Sequence, residues 1–134
     1  MSKEIKILIG VGIAALAALA VFVWLIFSAT SVLIEPIDRQ LAALKAGNID
    51  AAYAETSEAF QQGTSKDDFA KFVDQFPILR NAASHSFTSR SIENDVGTVS
   101  GSLIAADGAL TPITYQLVKE NGAWKIVNIK LGDG

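Results

Sequence analysis

Side chains that commonly do chemistry are sparse in this chain. His85 is the only histidine, so catalysis by paired imidazoles and a metal site built from several histidines are both impossible. His85 lies between two serines at the start of a predicted strand, a position that is usually at a surface or a sheet edge. It remains a weak candidate for ligand binding.

Two adjacent carboxylates, Asp67 and Asp68, are the next candidates. They follow Ser65, the predicted N-cap residue of a helix, at a position where the helix dipole and free backbone N–H groups stabilise negative charge. We therefore favour a capping role for this pair over metal binding or acid–base chemistry.

Tyr53 and Tyr115 could each offer a hydroxyl group to a ligand from an otherwise apolar wall. Packing in the core is the more frequent role of such residues, so both are weak ligand-binding candidates. The serines form no Gly-x-Ser-x-Gly elbow, and no glycine-rich phosphate loop is present. The sequence thus predicts no catalytic residue, no metal site and no cofactor.

Composition excludes several classes of function. The chain has no cysteine, which rules out disulfides, thiolate metal sites and a lipid-modified cysteine. From residue 35 onward nine Lys and Arg stand against thirteen Asp and Glu, a net charge of about −4. Nucleic acid is therefore not an expected partner, because phosphate binding requires clustered positive charge.

The N-terminal region has the length and composition of a membrane anchor. The run Ile7–Phe27 has no charged residue and would span about 31 Å as a helix, the thickness of a bilayer's hydrocarbon core. A cleaved signal peptide is the alternative, but its apolar region is usually shorter. We expect residues 1–34 to form a cytoplasmic tip and a single transmembrane helix, and residues 35–134 to form a separate domain.

Flanking charges predict the orientation of this anchor. Lys3 and Lys6 precede the apolar run, whereas Glu35 and Asp38 follow it. The positive-inside rule then places the N-terminus in the cytoplasm and the C-terminal domain outside the inner (cytoplasmic) membrane, in the periplasm or the extracellular space.

A stripe of small residues lies within the apolar run. Gly10, Ala14 and Ala18 recur at every fourth position, which would let another transmembrane helix approach closely. The alternative is that alanine is simply common in this segment.

The exported domain begins with helical patterns. A Glu35-Pro36 pair is expected to break the helical run, after which an amphipathic helix ends at Gly47 and a second begins at the N-cap residue Asn48. After a polar turn at residues 61–63, a third helix places several aromatic residues on one face and ends before Pro77. That face consists of Phe69, Phe72, Val73 and Phe76.

Beyond residue 81 the pattern becomes that of strands. Asp107-Gly108 and Asn121-Gly122 favour tight hairpin turns. Four strands are predicted, at residues 86–92, 96–105, 113–119 and 124–131. Helices followed by strands indicate an α+β fold, with about three helices packed on one face of a four-stranded antiparallel sheet.

The last strand places apolar groups on both of its faces. Trp124 and Ile126 alternate onto one face, whereas Val127, Ile129 and Leu131 fall on the other. A bulge near Ile126 would bring the two sets together. Without a bulge, Val127, Ile129 and Leu131 become candidates for a protein interface or a homodimer contact.

Four short motifs of the domain are shared with a known superfamily: Gln40-Leu41-x-x-Leu44-x-x-Gly47-Asn48, Ala52-Tyr53, Phe69-x-x-Phe72 and Gly122-x-Trp124-Lys125-Ile126. On these motifs the domain resembles the nuclear transport factor 2-like superfamily of cone-shaped α+β proteins, particularly its uncharacterised, membrane-anchored bacterial envelope members. This resemblance implies a curved sheet that wraps helices around a possible pocket and often pairs with a second sheet. No catalytic motif of the enzymatic members can be matched here.

We therefore expect a non-enzymatic, membrane-anchored envelope module, an accessory or assembly subunit that binds protein partners beside a membrane complex. The alternative is a small-ligand-binding or isomerase-like enzyme that uses the cone. An open cavity with converging Tyr53, Tyr115 or His85 would favour the enzyme, and a cone filled by phenylalanine side chains would favour the module.

Overall fold

A computed structural model describes residues 30–132, and from Val32 onward the described residues form one compact unit. Within the described residues, helices come first and strands follow, as the sequence predicts. The helices are α1 (Ile34–Lys45), α2 (Ile49–Ala54), α3 (Glu58–Gly63), α4 (Lys66–Gln75) and α5 (Ile78–Asn81). The strands are β1 (Ser84–Glu93), β2 (Val96–Ile104), β3 (Leu110–Glu120) and β4 (Ala123–Leu131).

Helix α1 begins earlier than the sequence indicates. Pro36 does not break it but lies in its first turn, where the missing backbone N–H would have had no helical partner. At the other end Gly47 adopts a φ of +77°, which ends the helix as predicted. One stripe of α1 is buried against the sheet and the other helices: Ile37, Gln40, Leu41 and Leu44.

Side-chain caps define the starts of the next three helices. Asn48 caps α2 and Ser65 caps α4, each accepting a hydrogen bond of 3.1 Å from the backbone N–H three residues later. Both caps confirm the sequence prediction. Ser57 caps α3 in the same way, so the segment expected as a polar turn around residues 61–63 is instead the end of a short helix.

The aromatic face of α4 is only partly buried. Phe69 and Val73 are buried completely or nearly so, whereas Phe72 is half-buried and Phe76 is 37 % exposed. Pro77 ends α4 as predicted and caps the single turn of α5.

The sheet is an antiparallel meander in the order β1-β2-β3-β4, as predicted. Positive φ angles at Asn121 and Gly122 confirm the turn between β3 and β4. The turn between β1 and β2 uses Asn94 and Asp95, also with positive φ. That pair contains no glycine, so it was not predicted as a tight turn from the sequence.

The two faces of the sheet differ in character. One is covered by the helices and carries the large buried residues Val99, Leu103, Ile113, Tyr115, Leu117 and Ile126. The other carries mostly polar side chains that are exposed or half-buried, and Ser100 and Thr114 hydrogen-bond across it at 3.1 Å. We call it the polar face, although Val96, Ile104, Leu110 and Val118 also lie on it. Its polar residues include Ser86, Ser89, Ser91, Thr98, Ser100, Ser102, Thr114 and Gln116.

A bulge in β4 decides the phase of the last strand. Gln116 lies opposite Asn128 and Leu117 opposite Ile126, so Val127 is the extra residue. The bulge shifts the alternation by one position. It brings Ile129 and Leu131 onto the same face as Trp124 and Ile126, where all four residues pack in the core.

A second bulge bends β1. The register shifts between Phe87 and Ser89, and Gly101 of β2 lies opposite Phe87. A Cβ atom at Gly101 would overlap the Ser86 carbonyl oxygen and lie 2.8 Å from the Phe87 Cα atom. Glycine is therefore required by this close approach of two strands.

Part of the outer edge of β4 is hydrogen-bonded to another segment. The chain just before α3 runs beside it, with hydrogen bonds of 2.8 Å from Ser57 N to Ile126 O and 2.9 Å from Ile126 N to Glu55 O. Glu55 also forms an ion pair with Arg39 of α1, 2.8 Å from Nε to Oε1. These contacts hold α1 and the start of α3 against the last strand.

Candidate functional site

The three ligand-binding candidates from the sequence do not lie together. Tyr53 lies in one aromatic cluster, whereas Tyr115 and His85 both contact Phe87. Tyr53 belongs to an aromatic cluster with Phe60 and Phe69, whose ring centroids lie 6.5 and 5.8 Å away. Its hydroxyl donates a hydrogen bond of 2.7 Å to the Thr64 carbonyl oxygen. Tyr53 thus joins α2 to the end of α3, and its polar group is already satisfied by the backbone.

Tyr115 is fully buried at the centre of the sheet's helix-covered face. Its ring meets Phe87 edge to face, with centroids 5.9 Å apart. The hydroxyl has no hydrogen-bond partner among the described residues. Burial, and to a lesser extent the negative charge of Asp38, raises the pKa of Tyr115 well above its usual value.

His85 lies at the rim rather than in the interior. Its Nε2 atom is 2.9 Å from Asp38 Oδ1 on α1. Its ring is tilted against Phe87, with centroids 5.1 Å apart. Phe87 therefore contacts both His85 and Tyr115, and phenylalanine and other core side chains occupy the helix-covered side of the sheet.

A surface cleft adjoins His85 between α1, α5 and the start of β1. Its volume is about 330 Å³, and we name it the His85 cleft. Leu41 and Leu79 form an apolar floor, while Asp38, Lys45 and Arg80 supply charges. These charged residues belong to no recognisable motif, although Asp38 and Lys45 are seven residues apart in the sequence and so share one face of α1.

A second cleft, of about 250 Å³, is mainly apolar. It is lined by Phe60, Thr64, Phe72 and Ile129, and the ring of Phe76 lies 5.1 Å from that of Phe72. We call Phe60, Phe72, Phe76 and Ile129 the Phe72 patch. The cleft arises because α3 and α4 leave part of β4 uncovered.

The interface candidates of the last strand are placed by the β4 bulge. Ile129 and Leu131 are half-buried on the helix-covered face, and Val127 is the bulged residue. Strict alternation along β4 predicts an uncovered face for the three residues, but the strand adopts the alternative with a bulge. Contact of these residues with a partner stays a prediction.

The remaining candidates concern the membrane and metals. Gly10, Ala14 and Ala18 lie outside the described residues. Among residues 30–132, no helix is long and apolar enough to cross a bilayer. In the same part of the chain, no three His, Asp or Glu side chains are grouped so that they could hold a metal ion.

Comparison with known proteins shows to which family the chain belongs. Residues 29–133 match the family described as "Domain of unknown function (DUF4864)". No curated protein matches the sequence.

Solved structures share the fold at low sequence identity. An NTF2-like protein of unknown function from Shewanella oneidensis MR-1 is 17 % identical, with a TM-score of 0.57, and the match covers 77 % of this chain and 98 % of that one. A substituted form of a chain named Rd1NTF2_05 is 18 % identical, with a TM-score of 0.58 and coverage of 75 % and 96 %. The order of elements, the curved four-stranded sheet and these similarities confirm the predicted NTF2-like fold, and the chain belongs to the DUF4864 family.

Proposed function

We propose that this protein is a non-enzymatic envelope module. Its apolar N-terminal run anchors it in the inner membrane, and its C-terminal domain, on the outer side, binds a protein partner as an accessory or assembly subunit. Only a few residues separate the apolar run from α1 in the sequence. Such a short connection limits the reach of the domain to partners at the membrane surface.

The main support for this proposal is that aromatic core side chains fill the space between the sheet and the helices. A ligand pocket needs open volume with a few converging polar groups. Here Phe69 and Tyr115 are fully buried and Phe87 is only 8 % exposed. Tyr53 is bonded to the backbone and His85 lies at the rim, so the polar candidates do not converge on a common interior space.

The Phe72 patch supports protein binding in particular. Phe76 is exposed next to a cleft whose walls are two phenylalanines and an isoleucine. Exposed aromatic residues beside an apolar pocket are typical of the central contacts in protein interfaces. We therefore place the partner's apolar side chains at this patch.

Photo-crosslinking in native membranes tests the proposal. A photoreactive amino acid replaces Phe76 in the full-length chain, and the matched control carries it at Lys71, an exposed position on α4, the helix that ends just before Phe76. We expect one major crosslinked protein from position 76 and a much weaker signal from position 71. Mass spectrometry of the product identifies the partner.

A charge substitution provides the second arm. Phe76→Asp should abolish the crosslink or co-purification of the partner while the domain stays folded, and Lys71→Asp should not. Equal recovery of the partner with both variants would place the contact elsewhere. Absence of any specific protein crosslink from position 76 would argue against protein binding at the Phe72 patch.

A further inference from the structure

Lys45 lines the His85 cleft and has no ion-pair partner among residues 30–132. We propose that this cleft binds a small monocarboxylate with an apolar body, such as an aromatic or short aliphatic acid. The proposal does not depend on the protein-binding function above, because the cleft and the Phe72 patch share no residue.

The contacts of the charged groups identify which of them is unpaired. Asp38 Oδ1 lies 2.9 Å from His85 Nε2, and Arg80 forms an ion pair with Asp74 of α4. Lys45 lines the same cleft and has no hydrogen bond or ion pair within the part of the chain that the structure describes. The cleft therefore offers one ammonium group to one negative charge.

The apolar residues of the cleft determine what the uncharged part of the ligand can be. Leu41 and Leu79 form its floor and are buried, and three alanines on α1 and before β1 add further apolar surface. A volume of about 330 Å³ is at the lower end of the range for small-ligand pockets. A ring or short chain fits such a space, and burying it against the leucines adds favourable apolar contact.

Asp38 adds selectivity by charge. Its carboxylate lies on the wall of the cleft and would repel a second negative charge on the ligand. A dicarboxylate or a phosphate monoester should therefore bind more weakly than a monocarboxylate of similar size.

Fluorine NMR of the full-length chain in detergent tests this proposal with 4-fluorobenzoate as the probe. The neutral amide 4-fluorobenzamide has the same ring and nearly the same shape. We expect saturable line broadening with 4-fluorobenzoate at millimolar concentration, after subtraction of empty micelles, and at least roughly fivefold weaker binding of the amide.

Two substitutions locate the binding. Lys45→Met removes the charge but keeps most of the apolar stem, and should weaken binding of 4-fluorobenzoate roughly fivefold. Lys71→Met is the matched control on another helix and should leave binding unchanged. Ala42→Phe, at an exposed position of α1, should fill the cleft and block the probe without disturbing the core.

Several outcomes would overturn the proposal. The first is that the acid and the amide bind equally well, and the second is that 4-fluorobenzoate does not bind at millimolar concentration. The third is that Lys45→Met and Ala42→Phe bind 4-fluorobenzoate as well as the parent chain does. Circular dichroism of each variant confirms that it is folded before binding is compared.

Discussion

His85 Nε2 lies 2.9 Å from Asp38 Oδ1, although the two residues are 47 positions apart in the sequence. The contact ties the start of β1 to α1 at the rim of the domain. Both side chains remain substantially accessible, at 36 % and 51 %. Solvent therefore weakens the interaction, and the pair contributes little to the stability of the fold.

Replacing His85 with Ala should lower the free energy of unfolding by no more than about 1 kcal/mol, because exposed pairs contribute little. Denaturant unfolding of the domain measures the change. A double-mutant cycle with Asp38→Ala isolates the contribution of the pair. A loss of more than about 3 kcal/mol would mean that the pair acts as a buried interaction.

Tyr115→Phe should leave the domain folded and make it more stable by about 1 kcal/mol. The phenylalanine keeps the ring in contact with Phe87 and removes a buried hydroxyl that has no partner among the described residues. Thermal or denaturant unfolding at neutral pH measures this change. A clear loss of stability would show that the hydroxyl is satisfied, for example by a buried water molecule.

The same residue predicts a dependence on alkaline pH. Burial raises the pKa of Tyr115 in the folded state, whereas in the unfolded state its pKa is about 10. Its contribution to stability is therefore fully present below about pH 10 and is lost as the pH rises, by up to about 1.4 kcal/mol per unit. Above pH 10, the free energy of unfolding of the Tyr115→Phe variant should fall less steeply with pH than that of the parent chain.

Ile129→Lys combined with Leu131→Glu should destabilise the isolated domain by about 2–4 kcal/mol. The bulge at Val127 places both residues against the core, and charges there would be partly desolvated. The matched control is Asn128→Lys with Lys130→Glu, two exposed positions of the same strand. If both pairs of substitutions leave stability unchanged while the first abolishes a protein contact, Ile129 and Leu131 serve an interface rather than the core.

Protease added outside intact inner membranes should remove the domain and leave the N-terminus protected. The uncharged run from residue 7 to 27, preceded by two lysines, predicts this orientation. Antibody tags at the two termini measure it, with a periplasmic and a cytoplasmic protein as controls. Protection of the domain would reverse the orientation, and a mature protein that begins near Ser31 would exclude the anchor.

Local signals in the sequence determined the order and type of most elements. Asn48 and Ser65 cap helices through hydrogen bonds to groups three residues away, and Asn121-Gly122 forms a turn through its own φ angles. Such interactions are complete within a few residues, so the sequence is enough to predict them. Ser57 caps α3 in the same way, but the polar residues 61–63 were interpreted as a turn, so this short helix was not predicted.

Tertiary structure alone decided which side chains share a face or a cleft. The bulge at Val127 follows from the pairing of β4 with β3, since an extra residue is tolerated only where both flanking segments keep their cross-strand partners. The pairing of His85 with Asp38 and the burial of Tyr115 likewise depend on where α1 crosses the sheet. No local signal encodes these distances, because they are set by contacts between residues far apart in the chain.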